Sequence, residues 1–204
     1  MHEHRAGHRE TATGSVGALL LALLMAGLST LVALPVFATN TAPTATLPVD
    51  GTSRLQPAGQ GTYRWFGLHV YDARLWIDGE RFDPARPLTP PFALSLTYAR
   101  SLSGERIAST SRDEIQRLGG VEPDRLQSWY DAMRAIFPDV NAGDRLVGIM
   151  LTDGATRFVF NDRPIGQIDD PAFGNGFFAI WLDPRTRAPG LREALLGMTD
   201  GQRP

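Results

Sequence analysis

The side chains of this 204-residue chain whose types could support chemistry are few and scattered. His69 is the one histidine beyond the N-terminal region. With no second ligand or orienting carboxylate at a motif spacing, it reads as a hydrogen-bonded or surface residue before it reads as a base. Asp113 and Glu114 are neighbours on a helical stretch, so they diverge by about 100° and form no acid/base pair. Asp162, Asp169 and Asp170 have the composition of a calcium loop without its alternating oxygens and central glycine. Turn and capping roles account for them. Gly59-Gln60-Gly61 is not a phosphate loop, because a strand rather than a helix follows it. No nucleophile elbow or Ser-His-Asp pattern occurs. Cysteine is absent, which removes thiol nucleophiles, thiolate metal sites and disulfides, and leaves the redox compartment open. These residues assign no catalytic group, metal or cofactor.

Arg64 offers more. It stands in the middle of an aromatic strand whose two faces both read as covered, where an Arg must reach water or find an anion or carbonyl. A partner such as Asp72 or Glu105, or snorkelling at the sheet edge, is the plainer reading. Tyr71, Tyr98 and Arg100 carry the same choice between a structural and a ligand-binding role.

The elements that would position these residues follow from periodicity. Residues 54–77 are dense in aromatic and β-branched residues and read as two strands, broken around Pro57 to Gly61 and bent at Gly67. Alternation places Tyr63, Trp65, His69 and Tyr71 on one face and Arg64, Phe66, Leu68 and Val70 on the other. Phe92, Leu94, Leu96 and Tyr98 alternate in a further strand. Ser103-Gly104-Glu105 opens a helix carrying Ile107, Ser111, Ile115 and Leu118 on one side and closing at Gly119-Gly120. A second helix begins at Pro123, with an apolar stripe through Leu126, Trp129, Tyr130, Met133, Ile136 and Phe137, and ends at Pro138. From Gly143 to Leu182 the pattern is strand, turn at Asp153-Gly154, strand, loop and buried helix. Asp170-Pro171 starts that helix, in which Phe173, Phe177, Phe178, Ile180 and Trp181 leave almost no polar stripe. A short helix near Leu191 to Leu196 stops at Gly197.

The net charge is −2 and every basic residue is Arg. Acidic residues are interspersed among them, so nothing concentrates the positive potential that nucleic acid requires. Residues 1–15 are polar, Val16 to Leu34 is almost wholly apolar, and Val36-Phe37-Ala38 has the small residues of a processing site. This pattern predicts a signal peptide over 1–38, cleaved after Ala38, and a periplasmic or secreted protein. An uncleaved anchor is the alternative, since about 19 apolar residues just span a bilayer, and it would be the one route to a membrane. Residues 39–51, rich in Thr, Ala and Pro, read as a linker, residues 52–197 as a single α+β domain, and 198–204 as a tail.

Four stretches carry a resemblance: GQGTYRWFGLHVYDARLWI, PFALSLTYARSLSGERIA, IFPDVNAGDRLVGI and AFGNGFFAIWLDPRTRAPGLREALLG. In order and spacing they are similar to the chalcone isomerase-like family, in its bacterial secreted branch. The resemblance implies an α+β fold in which a large antiparallel sheet is packed by a layer of helices, with an apolar cleft between them. It also implies that the cleft either cyclises a chalcone or holds a fatty acid whose carboxylate meets an Arg and a Tyr. The family's enzymes use a strand Arg, a Thr on the following strand, and a Tyr and an Asn on the first helix. Here Phe66 stands where the Thr belongs, and Ile107 and Glu114 where the Tyr and Asn belong. Gapless spacing gives Arg54 for the Arg, while the Gly-x-Gly-x-Arg run gives Arg64 one place late, on the wrong face unless a bulge intervenes. Without those polar groups, turnover should be lost. The sequence thus reads as a non-catalytic exported domain binding a small apolar or amphipathic ligand, such as a fatty acid. Arg64, Tyr71, Tyr98, Arg100 and Arg54 are its candidate ligand contacts. A module whose cleft is filled by its own side chains, or an enzyme of unrelated reaction on the same fold, are the other readings.

Overall fold

The computed structural model describes residues 54–79 and 83–198. The leader, processing site, linker and most of the tail lie outside them. Six strands form one antiparallel sheet in chain order: β1 (Leu55–Trp65), β2 (Leu68–Asp78), β3 (Phe92–Tyr98), β4 (Arg145–Met150), β5 (Thr156–Phe160) and β6 (Arg163–Ile168). Four helices accompany it, α1 (Gly104–Leu118), α2 (Pro123–Ile136), α3 (Pro171–Leu182) and α4 (Pro189–Leu195). Their termini follow local chemistry. The Ser103 side chain accepts from Arg106 N at 3.2 Å to open α1, and Gly119, at φ 82°, closes it. Asp170 caps α3 through Ala172 N at 3.0 Å, ahead of Pro171 in the first turn. Both caps satisfy backbone N–H groups that a helix start leaves without partners.

One face of the sheet carries Ala73, Leu75, Phe92, Leu94, Leu96, Leu146, Met150 and Phe158 into the main core, which they share with Trp129, Met133, Phe173, Phe177, Phe178 and Leu182 from the helices. α3 sits at the centre, as its lack of a polar stripe requires. Gly148 lets the Phe178 ring come within about 3 Å of where a Cβ would stand. On the other face Trp76, Ala93, Val147, Ile149 and Val159 form a second buried cluster.

The structure corrects the strand readings in four places. Pro57 to Gly61 is no break: β1 runs through it with a bulge at Ala58, which an edge strand tolerates because Pro57 withholds a donor that nothing needs. Gly67 is half of a two-residue hairpin turn rather than a bend. The hairpin is not covered on both sides, since Arg64, Trp65, Phe66 and Leu68 are exposed. Finally, the stretch after Asp153-Gly154 holds two strands, because Asn161 and Asp162, at φ 43° and 69°, make a second tight turn before β6.

Candidate functional site

Three tyrosines lie in a row across three adjacent strands. Tyr63 of β1 pairs with Tyr71 of β2, and Tyr71 with Tyr98 of β3. Directly opposed residues of an antiparallel pair share a face, and this row packs against the helix-side core. The Tyr63 and Tyr71 rings stack at 5.0 Å, while Tyr71 meets Tyr98 edge-on at 6.1 Å. From α3, Trp181 donates its Nε1–H to the Tyr71 hydroxyl at 2.9 Å. A phenol that accepts this bond still has its own proton to give. Tyr98 is 3% exposed, and its hydroxyl has no hydrogen-bond partner among the described residues.

Burial pushes the pKa of both Tyr71 and Tyr98 up, the Trp181 bond offsetting part of the effect at Tyr71. Both phenols therefore stay neutral donors across the physiological range. Glu114, on α1, is close enough to add to the rise at Tyr71. Its carboxylate is held by Arg117 at 2.8 Å and Arg187 at 3.0 Å. The row thus offers an apolar surface and two neutral donors, which suits an acceptor-bearing head group on an apolar body.

The register creates this row. Beyond Tyr63↔Tyr71 the next pair is Arg64↔His69, so Val70 is an extra residue on β2. That bulge takes His69 off the tyrosine face and onto the Asp72 carboxylate, which its Nε2 meets at 3.1 Å and the Thr62 hydroxyl reaches at 2.6 Å. Arg64, opposite His69, follows it away from the tyrosines. The bulge that would restore Arg64 to the family geometry is absent from β1 between Gly59 and Arg64; the extra residue lies on β2, and Arg64 is exposed, with a long contact of 3.5 Å to Gly67 O. Asp72 and Glu105, its suggested partners, are engaged elsewhere: Glu105 accepts from Tyr130 and Arg134. Arg100 is exposed in the segment after β3, and Arg54 lies exposed at the far end of the β1–β2 hairpin, before Leu55↔Asp78. The structure brings together Tyr71 and Tyr98 of the five candidates, and adds Tyr63 and Trp181.

Of the positions aligned with the family's polar groups, Glu114 alone comes near the row. Phe66 is at the hairpin tip, Ile107 packs on the core, and Glu114 is ion-paired. The three aspartates have structural roles: Asp162 pairs with Arg145, Asp169 accepts from Gln167, and Asp170 holds Arg125 and the Trp129 indole besides capping α3. Two hollows are lined by described residues. One, of about 490 Å³, lies on the second sheet face among Gln60, Asp72, Arg74, Ser95, Thr97 and Arg145. The other, of about 370 Å³, lies among α1, α2 and α3 over Ile115, Leu118, Trp129 and Gly176. Neither borders Tyr71, Tyr98 or Trp181.

Residues 38–197 match the model of a family described as chalcone isomerase-like, a match that takes in the stretch 39–51 read above as a linker. An uncharacterised protein of Haemophilus influenzae is 36% identical over 145 residues, which are 71% of this chain and 69% of that protein. Among solved structures, a fatty-acid binding protein of Arabidopsis thaliana superposes with a TM-score of 0.55 at 11% identity, over 71% of this chain and 87% of the other. At that identity the likeness is one of fold.

Proposed function

The chain belongs to the chalcone isomerase-like family, and from that premise we propose that it is an exported, non-catalytic member that binds a small amphipathic ligand at the tyrosine row, a fatty acid being the leading case. The observation that carries the proposal is the pair of neighbouring phenols: the Tyr98 hydroxyl, on a residue 3% exposed, has no partner among the described residues, and the Tyr71 proton is also uncommitted. A ligand oxygen placed between them would accept from both neutral donors. The structural likeness to a protein named for fatty-acid binding supports the same class of ligand. Lack of isomerase activity rests on Phe66, Ile107 and Glu114: at those positions the chain offers no group to polarise a ketone or stabilise an enolate.

One observation favours the self-filled reading. Phe92, Phe158, Phe173 and Phe178 are wholly buried and meet neighbouring rings at 4.7 to 6.2 Å. Thermal shift separates the two. A long-chain fatty acid raises the Tm of the wild type by mass action, by about 2.7 kcal/mol of stabilisation at a hundredfold excess over Kd. It raises that of Tyr98→Phe much less, and those of Arg64→Ala and Arg54→Ala as much as the wild type. No shift in the wild type decides for the self-filled module, and a shift lost in Arg64→Ala moves the anchor to that residue.

A further inference from the structure

Trp65, Phe66 and Leu68 are the large apolar side chains left exposed among the described residues, at 56%, 88% and 51%. All three sit on or beside one turn. Phe66 and Gly67 form it, with φ of 47° and 79°, the two positive values of a type I′ hairpin, for which Asn-Gly and Asp-Gly are preferred. Between β5 and β6 the same protein meets that preference with Asn161-Asp162. Between β1 and β2 it places a phenylalanine where the asparagine belongs. A bulky residue there is strained, and at 88% exposure it recovers nothing from burial. Fold stability does not account for the choice.

We infer that this tip is a membrane finger, on which Trp65, Phe66 and Leu68 enter the interfacial layer of an anionic phospholipid bilayer. The shape favours lipid. A two-residue turn is convex and narrow, and a bilayer receives it without a matching cavity, whereas a protein partner must supply one. The side chains favour it too, since aromatic rings are enriched where water meets acyl chain. Trp65 and Phe66 are already paired edge-on at 4.8 Å. The charges agree. Ala99 N bonds to Val70 O at 2.9 Å, so Arg100 leaves β3 beside the base of the tip, where Arg64 also stands. Both arginines are exposed, and neither has a carboxylate partner among the described residues, which leaves them for lipid phosphates. This inference goes beyond the ligand site and does not depend on it, because the side chains involved are not the tyrosines.

The other three tryptophans are buried, at 2%, 3% and 7% exposure for Trp76, Trp129 and Trp181, so Trp65 is the natural reporter. The full chain is mixed with vesicles of phosphatidylcholine and phosphatidylglycerol whose acyl chains are brominated, and tryptophan emission is followed. Emission is quenched in the wild type, and the quenched component is missing from Trp65→Phe. In Phe66→Asn, about tenfold more lipid is needed for half-maximal quenching, while the Tm is unchanged or raised because Asn-Gly suits the turn. The inference is overturned if Trp65 stays open to aqueous acrylamide with vesicles present, or if Phe66→Asn quenches like the wild type. Sedimentation with vesicles without quenching of Trp65 assigns membrane contact to another segment and equally overturns it.

Discussion

Replacing Tyr98 and Tyr71 in turn by Phe removes one oxygen from each of two neighbouring rings, and the structure gives the two changes different consequences. The Tyr71 hydroxyl accepts the Trp181 indole N–H at 2.9 Å, and Trp181 is 7% exposed. Tyr71→Phe therefore strands a buried donor, at a cost of about 1–3 kcal/mol. For a domain of this size that lowers Tm by roughly 2–4 °C per kcal/mol. Tyr98 has no such partner, so Tyr98→Phe exchanges an unpaired hydroxyl for a hydrogen, and the expected change is within about 0.5 kcal/mol. Ligand binding inverts the ranking: Tyr98→Phe, the stable variant, loses about tenfold in affinity for a fatty acid, the worth of one hydrogen bond. Differential scanning calorimetry with and without ligand reads both quantities. Equal losses of stability in the two variants would refute the assignment of an uncommitted phenol, and full affinity in Tyr98→Phe would refute its role as anchor.

Four further outcomes follow from particular contacts. Gly59→Ala places a Cβ 2.2 Å from Ala194 O and 2.4 Å from Leu195 O, both backbone atoms that cannot swing aside, so a destabilisation of about 3 kcal/mol is expected by urea unfolding. Asp170→Ala removes the α3 cap and leaves the buried Trp129 indole without its acceptor, costing about 2–4 kcal/mol, whereas Asp170→Asn keeps one acceptor oxygen for the cap, turns an amide N–H toward the indole donor, and recovers only part of it. Because Arg125 above all holds the Asp170 carboxyl below its usual range, that group stabilises the fold above the ordinary carboxylate pKa and ceases to do so as pH falls through its depressed folded value. Acid unfolding should accordingly begin at higher pH in Asp170→Asn. At the alkaline end Tyr71 and Tyr98 are raised, so their contribution is present below the unfolded tyrosine pKa and lost as pH rises through the folded one; their phenolate absorbance should appear with unfolding and not before.

The helices were legible because their signals are local. Ser103, Asp170-Pro171 and Gly119 mark termini through atoms within a few residues, and the i, i+3, i+4 stripe through Leu126, Trp129 and Met133 needs no distant partner. β6 was missed because Asn161-Asp162, a good turn pair, directly joins two short strands of five and six residues, too short for alternation to show against a β5 buried on both faces. The site was half legible. Tyr71 and Tyr98 stood out as polar groups among apolar alternation, and register alone then aligns them. Trp181 could not be identified from spacing, since the contact that makes it part of the site spans 110 residues.

Val70 shows why the remainder lay beyond sequence reasoning. A hairpin turning at Phe66-Gly67 without a bulge would pair Tyr63 with Val70 and Thr62 with Tyr71, placing the two tyrosines on opposite faces. One extra residue on β2 reverses this: Tyr63 now stacks on Tyr71, and His69 turns to Asp72. Arg64 opposes His69 in either register, but the extra residue turns it to the face opposite Tyr71, behind the exposed Trp65 and Phe66. A single inserted residue thus separates two polar chemistries that share one strand pair, neutral phenols toward the helices and an exposed guanidinium on the other face. Nothing in the local sequence of Leu68-His69-Val70-Tyr71 distinguishes the bulged from the regular register. What selects between them is the whole row, because only the bulged pairing turns Tyr63 and Tyr71 together toward the helix-side core and lets Trp181 find its acceptor.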